Sequence, residues 1–330
     1  MLFSCSLMMG TLISISSMSW FSAWVGLEIN MLSIMPLMKN FNNKLSSEST
    51  IKYFITQAIA SMILLFSVLM FSNSMDFMFK MQSMMKLFLN TSLFLKMGAA
   101  PMHFWLPEVI SGTSWLMTLT ILTWQKIAPM ILLIYSSMVN YLMLSVIILS
   151  SLIGGLSGLN QTCMKKIMAY SSINHISWML AASMYSTSTW MIYFCVYSTI
   201  SVTLILHLYM NNIYFMQQMS KLSSKNKTNK LIFSLNFLSL GGLPPFLGFF
   251  PKWLTIFNLS TNSMYYLSTI LITLTLLSLF MYIRIMFTSM TMLESESIKM
   301  STNNLPLLFL YIMINTSISF MSMMLSTPIF

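Results

Sequence analysis

The chain has 330 residues, of which 57% are apolar and only 7% charged. A soluble globular domain carries roughly 25% charged residues, so this composition excludes a soluble catalytic or nucleotide-binding domain and leaves a polytopic membrane protein. The net charge of +10 does not point to nucleic acid, because the lysines form no compact basic face and sit in short loops, as positive-inside topology requires.

A helix needs roughly 20 apolar residues to cross the hydrocarbon core. Eleven segments meet that requirement: about 2–19, 21–38, 51–71, 84–112, 114–136, 139–158, 164–183, 189–212, 229–257, 263–287 and 304–325. The second holds Glu28 within Trp24-Val-Gly-Leu-Glu-Ile-Asn-Met31. A lone carboxylate in a bilayer wants a cation, for transport or as a purely structural ion pair. The fourth is too long for one straight span. It contains Lys96-Met-Gly-Ala-Ala-Pro101 followed by Trp105-Leu-Pro-Glu108, which predicts two half-helices. The fifth carries Lys126 near its middle, in Leu122-Thr-Trp-Gln-Lys-Ile-Ala-Pro129. An ammonium there cannot snorkel easily to water. It serves as a proton site, or as a structural group bonded to carbonyls freed by Pro129.

The seventh span places His175 among hydroxyls and amides, in Tyr170-Ser-Ser-Ile-Asn-His-Ile-Ser177, and the eighth places His207 in Leu204-Ile-Leu-His-Leu208. Both are candidate proton relays, since imidazole titrates near neutrality; a hydrogen-bonded structural histidine is the bland alternative. His103 follows the first break and braces it. The ninth span is again overlong, with Gly241-Gly-Leu-Pro-Pro245 and then Phe250-Pro-Lys-Trp253. Lys96 and Lys252 therefore flank helix breaks, where an ammonium either joins a transport path or caps unpaired carbonyls.

The two breaks share Gly-x-x-Pro, at Gly98–Pro101 and Gly241–Pro244. They lie five spans apart, and an odd spacing gives the copies opposite orientation, as in inverted-topology repeats. The expected fold is thus an all-α polytopic membrane protein. It has eleven transmembrane helices, two of them discontinuous, and inverted five-helix repeats in a single transmembrane domain. Repeat one covers about 2–136, repeat two about 139–287, and a C-terminal helix about 304–325.

Loop charge sets the orientation. Lys39, Lys44, Lys52, Lys165, Lys166, Lys221, Lys225, Lys227, Lys230, Arg284 and Lys299 fall on the side of the N-terminus; the other side has Lys80 and Lys86 and little else. This places the N-terminus in the compartment of synthesis and the C-terminus opposite. The 38 methionines and single arginine, Arg284, fit a biased genetic code. Animal mitochondria read an Ile codon as Met, and AT-rich genomes disfavour Arg codons. With no cleavable targeting segment before the first span, the expected location is the mitochondrial inner membrane, with the N-terminus in the matrix and the C-terminus in the intermembrane space.

Other chemistry finds no support. Cys5, Cys163 and Cys195 are far apart and form no C-x-x-C, so no zinc site, iron–sulfur cluster or disulfide framework is expected on this chain. There is no phosphate loop, dinucleotide fingerprint or nucleophile elbow.

At Gly26-Leu-Glu-Ile-Asn30, Lys96–Glu108, Leu122–Pro129, Ala169–His175, Gly241–Gly248 and Phe250–Trp253 the chain closely resembles the antiporter-like membrane subunits of respiratory complex I, in the shortened animal form. The resemblance implies a proton-translocating subunit of H+-translocating NADH:ubiquinone reductase, driven by quinone reduction elsewhere in the complex. It puts Glu28, Lys96, Lys126 and Lys252 on the family's proton-translocation positions. It implies no redox centre on this chain, with FMN, iron–sulfur clusters and ubiquinone on partner subunits, and phospholipids and protons as further partners. A stand-alone cation/proton antiporter shares the buried charges and broken helices. A non-conducting scaffold gains little from keeping them.

Overall fold

The computed structural model describes residues 1–40, 43–73, 79–136, 140–219, 227–244 and 246–290. Among these residues regular structure is helical, apart from one antiparallel bridge between Cys163 and Phe215. The helices are α1 (Leu2–Ser16), α2 (Trp20–Met38), α3 (Lys44–Asn73), α4 (Phe79–Met97), α5 (Trp105–Gly112), α6 (Trp115–Leu122) and α7 (Trp124–Tyr135). They continue with α8 (Asn140–Leu159), α9 (Met164–Ser183), α10 (Thr187–Met210), α11 (Lys227–Gly241), α12 (Phe249–Thr261) and α13 (Tyr265–Met290), with a 3₁₀ turn at Met216–Met219.

Six stretches among the described residues are long and apolar enough to cross a membrane: Trp20–Met38, Lys44–Phe71, Trp115–Tyr135, Tyr141–Leu159, Thr187–Met210 and Tyr265–Thr288. The first expected span, α1, is apolar but shorter. The expected eleventh span, 304–325, lies outside the described residues, as do Lys221, Lys225, Lys299 and Pro245.

The chain forms two compact units, Met1–Ser150 and Ser151 onward. In the first unit α1 and α2 pack at two glycines. A Cβ on Gly26 would meet the Ser14 nitrogen at 2.6 Å, and one on Gly10 would meet the Asn30 nitrogen at 2.9 Å. Small residues let helix backbones approach this closely where lipid supplies no hydrophobic drive. Helix α3 packs on α2, α4 and α5, and α7 packs on α1, α4 and α6. Ser136, at the end of α7, donates to the Asn90 carbonyl oxygen of α4 at 2.7 Å.

In the second unit α9 forms the centre. Every one of its residues except Lys166 and Tyr170 is buried, although it carries Ser171, Ser172, Asn174, His175 and Ser177. Helices α10, α12 and α13 pack around it. Most of its hydroxyls donate to carbonyls one turn back along the same helix.

Candidate functional site

Both expected helix interruptions are present, and they are built alike. Helix α4 ends at Met97, and Gly98 takes φ of 76°. Its N–H donates to the Leu95 carbonyl at 3.2 Å, and Ala99 donates to Phe94 at 3.1 Å. Helix α11 ends at Gly241, and Gly242 takes φ of 75°. Its N–H donates to Ser239 at 3.0 Å, and Leu243 donates to Leu238 at 3.4 Å. Each is a Schellman stop, which needs a left-handed residue just past the helix. Helix resumes at Trp105 and at Phe249, the same distance beyond its glycine.

This geometry corrects the sequence register by one residue. Gly98 matches Gly242, not Gly241, which then pairs Pro107 with Pro251 and Glu108 with Lys252. The correspondence exposes a chemical difference. In the first break the Trp105 indole N–H caps the Leu95 carbonyl at 3.0 Å. In the second the Lys252 ammonium caps the Gly241 carbonyl at 2.8 Å. The Lys252 stem lies over Gly242, where a Cβ would meet its Cδ at 2.8 Å and its Nζ at 2.9 Å. The ammonium also sits 5.7 Å from the Trp178 ring centre. A carbonyl at the negative end of a helix and an aromatic face both favour a cation, so the buried charge of Lys252 is supported without a carboxylate.

Lys126 is only 1% exposed. The expectation of one continuous helix over 114–136 fails here: the ladder is interrupted at Thr123, between α6 and α7. The Lys126 N–H reaches back three residues to Thr123 at 3.3 Å, a locally tightened turn of the kind found at hinges. Lys126 therefore stands in the first turn of α7. That is the positive end of a helix and a poor place for an ammonium.

Sequence reasoning missed the group that holds this segment. Gln125 donates to the Asn30 carbonyl oxygen at 2.8 Å, and Asn30 donates back to Gln125 at 3.1 Å. Pro129 has no N–H for the Gln125 carbonyl four residues earlier, so backbone restraint is weakened on both sides of Lys126. The reciprocal amide pair supplies it instead and ties Lys126 to the helix that carries Glu28. Removing one amide would strand the other, at about 1–3 kcal/mol. The amides near Glu28 and beside Lys126 were the available signal.

Glu28 and Lys96 form no ion pair within 4.0 Å among the described residues. Their helices α2 and α4 both pack on α3. The one ion pair among the described residues is Lys52 with Glu108 at 2.8 Å, both about half exposed. Pairs this exposed add little to stability; this one links α3 to α5 at the surface.

The two histidines separate. His175 Nδ1 lies 2.9 Å from the Tyr193 hydroxyl, and its ring lies 5.0 Å from that of Tyr197. His207 Nδ1 meets the Asn211 amide at 3.3 Å, and its ring lies 5.0 Å from that of Phe233. They sit on neighbouring helices but in different polar groups. His103 contacts the Pro101 carbonyl at 3.2 Å, inside the first break.

A family model described as NADH:quinone oxidoreductase/Mrp antiporter, transmembrane, matches residues 17–278. The chain is 47% identical to NADH-ubiquinone oxidoreductase chain 2 of Anopheles gambiae, over 92% of this chain and 89% of that one. It is 40% identical to chain 2 of Mus musculus, over 88% and 86%. Its fold matches a chain of respiratory complex I from Thermus thermophilus, solved with bound aureothin, at a TM-score of 0.86 and 21% identity, over 99% of this chain and 78% of that one. It matches a chain of the Mrp complex from Dietzia sp. DQ12-45-1b at 0.79 and 16% identity, over 87% and 59%; at such identities the likeness is one of fold. The matched residues run from the start of α2 into α13 and enclose both helix breaks, Glu28 and the buried Lys96, Lys126 and Lys252, and the chain belongs to the NADH:quinone oxidoreductase/Mrp antiporter family of membrane subunits.

Proposed function

We propose that this chain is a core membrane subunit of proton-pumping NADH:ubiquinone oxidoreductase and that Glu28, Lys96, Lys126 and Lys252 carry protons through it. The observation that carries the reading is the burial of three lysines, each within a few residues of an interruption in its helix. An ammonium kept in such places is costly unless it works, and freed backbone at membrane depth is tolerated where it lines protein or water. Near-complete coverage by relatives named as oxidoreductase chains favours this reading over a stand-alone cation/proton antiporter.

The wider arrangement belongs to the proposal as well. Eleven spans form two inverted five-helix repeats and a final helix, in the mitochondrial inner membrane. FMN, iron–sulfur clusters and ubiquinone sit on partner subunits. Apolar side chains exposed along α1 and α3, such as Met8, Leu12, Ile55 and Met62, meet phospholipid or neighbouring subunits. The N-terminus faces the matrix and the C-terminus the intermembrane space, from the loop-charge bias. An impermeant label should reach the C-terminus in mitochondria with opened outer membranes. Labelling from the matrix side alone would contradict the odd span count.

The mechanism needs no redox group on this chain. A carboxylate brought toward an ammonium favours the protonated form, and its withdrawal lets the proton leave. Glu28 acts on Lys96 in this way, and His175 with Tyr193 offers a relay beside the central helix. Glu28→Gln should therefore lower protons pumped per NADH oxidised while assembly persists. Combined with Lys96→Met it should add little further loss, as expected of groups acting as one unit. Fully additive losses in that double-mutant cycle would separate the two residues and remove the coupling.

A further inference from the structure

Among the described residues of the second unit no acidic side chain answers the cations. From Val109 to Leu293 the sequence holds nine basic residues and no Asp or Glu. One of the nine is Arg284, the only arginine in the chain, which stands near the C-terminal end of α13 and is half-buried. A guanidinium offers five N–H donors. Here a single nitrogen, Nη2, reaches the Gln161 carbonyl at 3.3 Å and the Met216 sulfur at 3.8 Å; the first bond is long and the second acceptor weak. Nε is buried and finds no partner among the described residues, and the open Nη1 is bonded to nothing among them. Snorkelling does not account for this placement. A snorkelling arginine extends its head into water, whereas this one is turned onto a neighbouring loop.

That loop is half of a short ribbon. The Met164 N–H donates to the Tyr214 carbonyl at 2.9 Å and the Met216 N–H to the Thr162 carbonyl at 3.0 Å, around the Cys163–Phe215 bridge. The Gln218 side chain accepts from the Tyr214 N–H at 2.7 Å. The ribbon carries further positive charge: Lys165 lies 5.1 Å from the Tyr214 ring centre, and Lys166 follows it in the first turn of α9. A row of exposed apolar side chains leads away from Arg284 along α13, through Phe280, Leu276 and Ile272. Residues four apart share a helix face. The twelve residues from Arg284 to Ile272 span about 18 Å at 1.5 Å per residue, close to the roughly 15 Å of one leaflet, half the hydrocarbon core. A cationic group at the end of an apolar row of one leaflet's length matches the two parts of a phospholipid. A second apolar helix would cover the row but bring no anion to the arginine.

We propose that this end of α13 is a binding site for one anionic phospholipid. Its phosphate lies on the Nη1–Nη2 edge of Arg284, in the positive field of Lys165 and Lys166, and an acyl chain lies along Phe280, Leu276 and Ile272. Guanidinium binds phosphate oxygens through paired N–H bonds, and basic pockets between transmembrane helices recognise anionic head groups. The lipid supplies the negative charge that the described part of this unit lacks. It also ties α13 to the loops that precede α9 and follow α10, so it stabilises the unit from outside the chain.

The test uses the intact complex in nanodiscs of phosphatidylcholine doped with photoreactive phosphatidylglycerol, or with photoreactive phosphatidylcholine as the uncharged control. Cross-links to α13 would be mapped by peptide mass spectrometry, and a density map would be recorded for the parent. The expected result is a phosphate within about 3 Å of the Arg284 guanidinium, an acyl tail along the row, and cross-links near Leu276 and Phe280 from the anionic probe. Arg284→Gln should lower that cross-linking about tenfold or more, the scale of a lost charge-assisted hydrogen bond. Unchanged cross-linking in the variant would overturn the proposal. Equal labelling of the parent by the two probes would overturn it as well, and that arm decides even where Arg284→Gln fails to assemble. Density for a tailless phosphate ion, a carboxylate at Arg284 or a helix along the row would also overturn it.

Discussion

Lys126→Met is expected to abolish proton pumping through this subunit while the assembled complex persists. Methionine fills nearly the same volume with an apolar, flexible chain. The substitution also removes a charge whose burial costs several kcal/mol, so the fold should tolerate it. What disappears is the only charged side chain of α6 and α7. It stands where the helix is interrupted at Thr123 and where the Asn30–Gln125 pair fixes its position. A positioned acid–base group contributes about 10²–10⁴-fold to a proton transfer, so NADH oxidation coupled to pumping should fall by at least that lower bound. The measurement is NADH-driven acidification in sealed vesicles, set beside the amount of intact complex on a native gel. Loss of pumping with normal assembly supports the transfer role. Loss of assembly would mean that Lys126 works as a structural group.

The second large effect concerns the break below Lys252. A Cβ on Gly248 would overlap the Ser239 carbonyl, a backbone atom that cannot swing aside. At Gly242 the backbone is left-handed, which costs a non-glycine residue about 1–2 kcal/mol. There an added methyl would also strike the Lys252 stem. Gly241 is an ordinary helical residue whose Cβ would find nothing nearer than 3.5 Å. Gly248→Ala should therefore nearly eliminate assembled complex. Gly242→Ala should lower both its amount and its pumping, because the cap that Lys252 makes cannot form. Gly241→Ala should assemble normally, helped slightly by the higher helix propensity of alanine. Quantifying intact complex in the three variants checks the order. Equal tolerance of Gly241→Ala and Gly242→Ala would contradict the register assigned to the break.

The features legible in the sequence were those with local signals. An intramembrane lysine is conspicuous against a chain with sixteen basic and six acidic residues, and Gly and Pro punctuate a span wherever they fall. Lys96, Lys126 and Lys252, and the breaks after Met97 and Gly241, were therefore visible. The one-residue register was not, since adjacent glycines and adjacent prolines at 241–245 satisfy either phase. The interruption at Thr123 carries no Gly or Pro of its own; Pro129 perturbs the chain at Gln125, not at Thr123. The Asn30–Gln125 pair joins residues 95 positions apart, and span order alone does not say which faces of two helices meet. The same limit explains Glu28 and Lys96. They stand on α2 and α4, which both pack on α3, and no ion pair within 4.0 Å joins them among the described residues.

The central claim is that a buried lysine in this chain gives and takes a proton, and Lys126→Arg tests it most directly. Guanidinium keeps the positive charge and the hydrogen-bonding capacity, yet it is effectively never deprotonated in proteins. A purely electrostatic or structural role would survive the exchange, whereas a transfer role would not. The decisive quantity is protons pumped per NADH oxidised by the assembled Lys126→Arg complex in sealed vesicles. The account predicts a loss as deep as that of Lys126→Met; near-normal pumping by the arginine variant would contradict it.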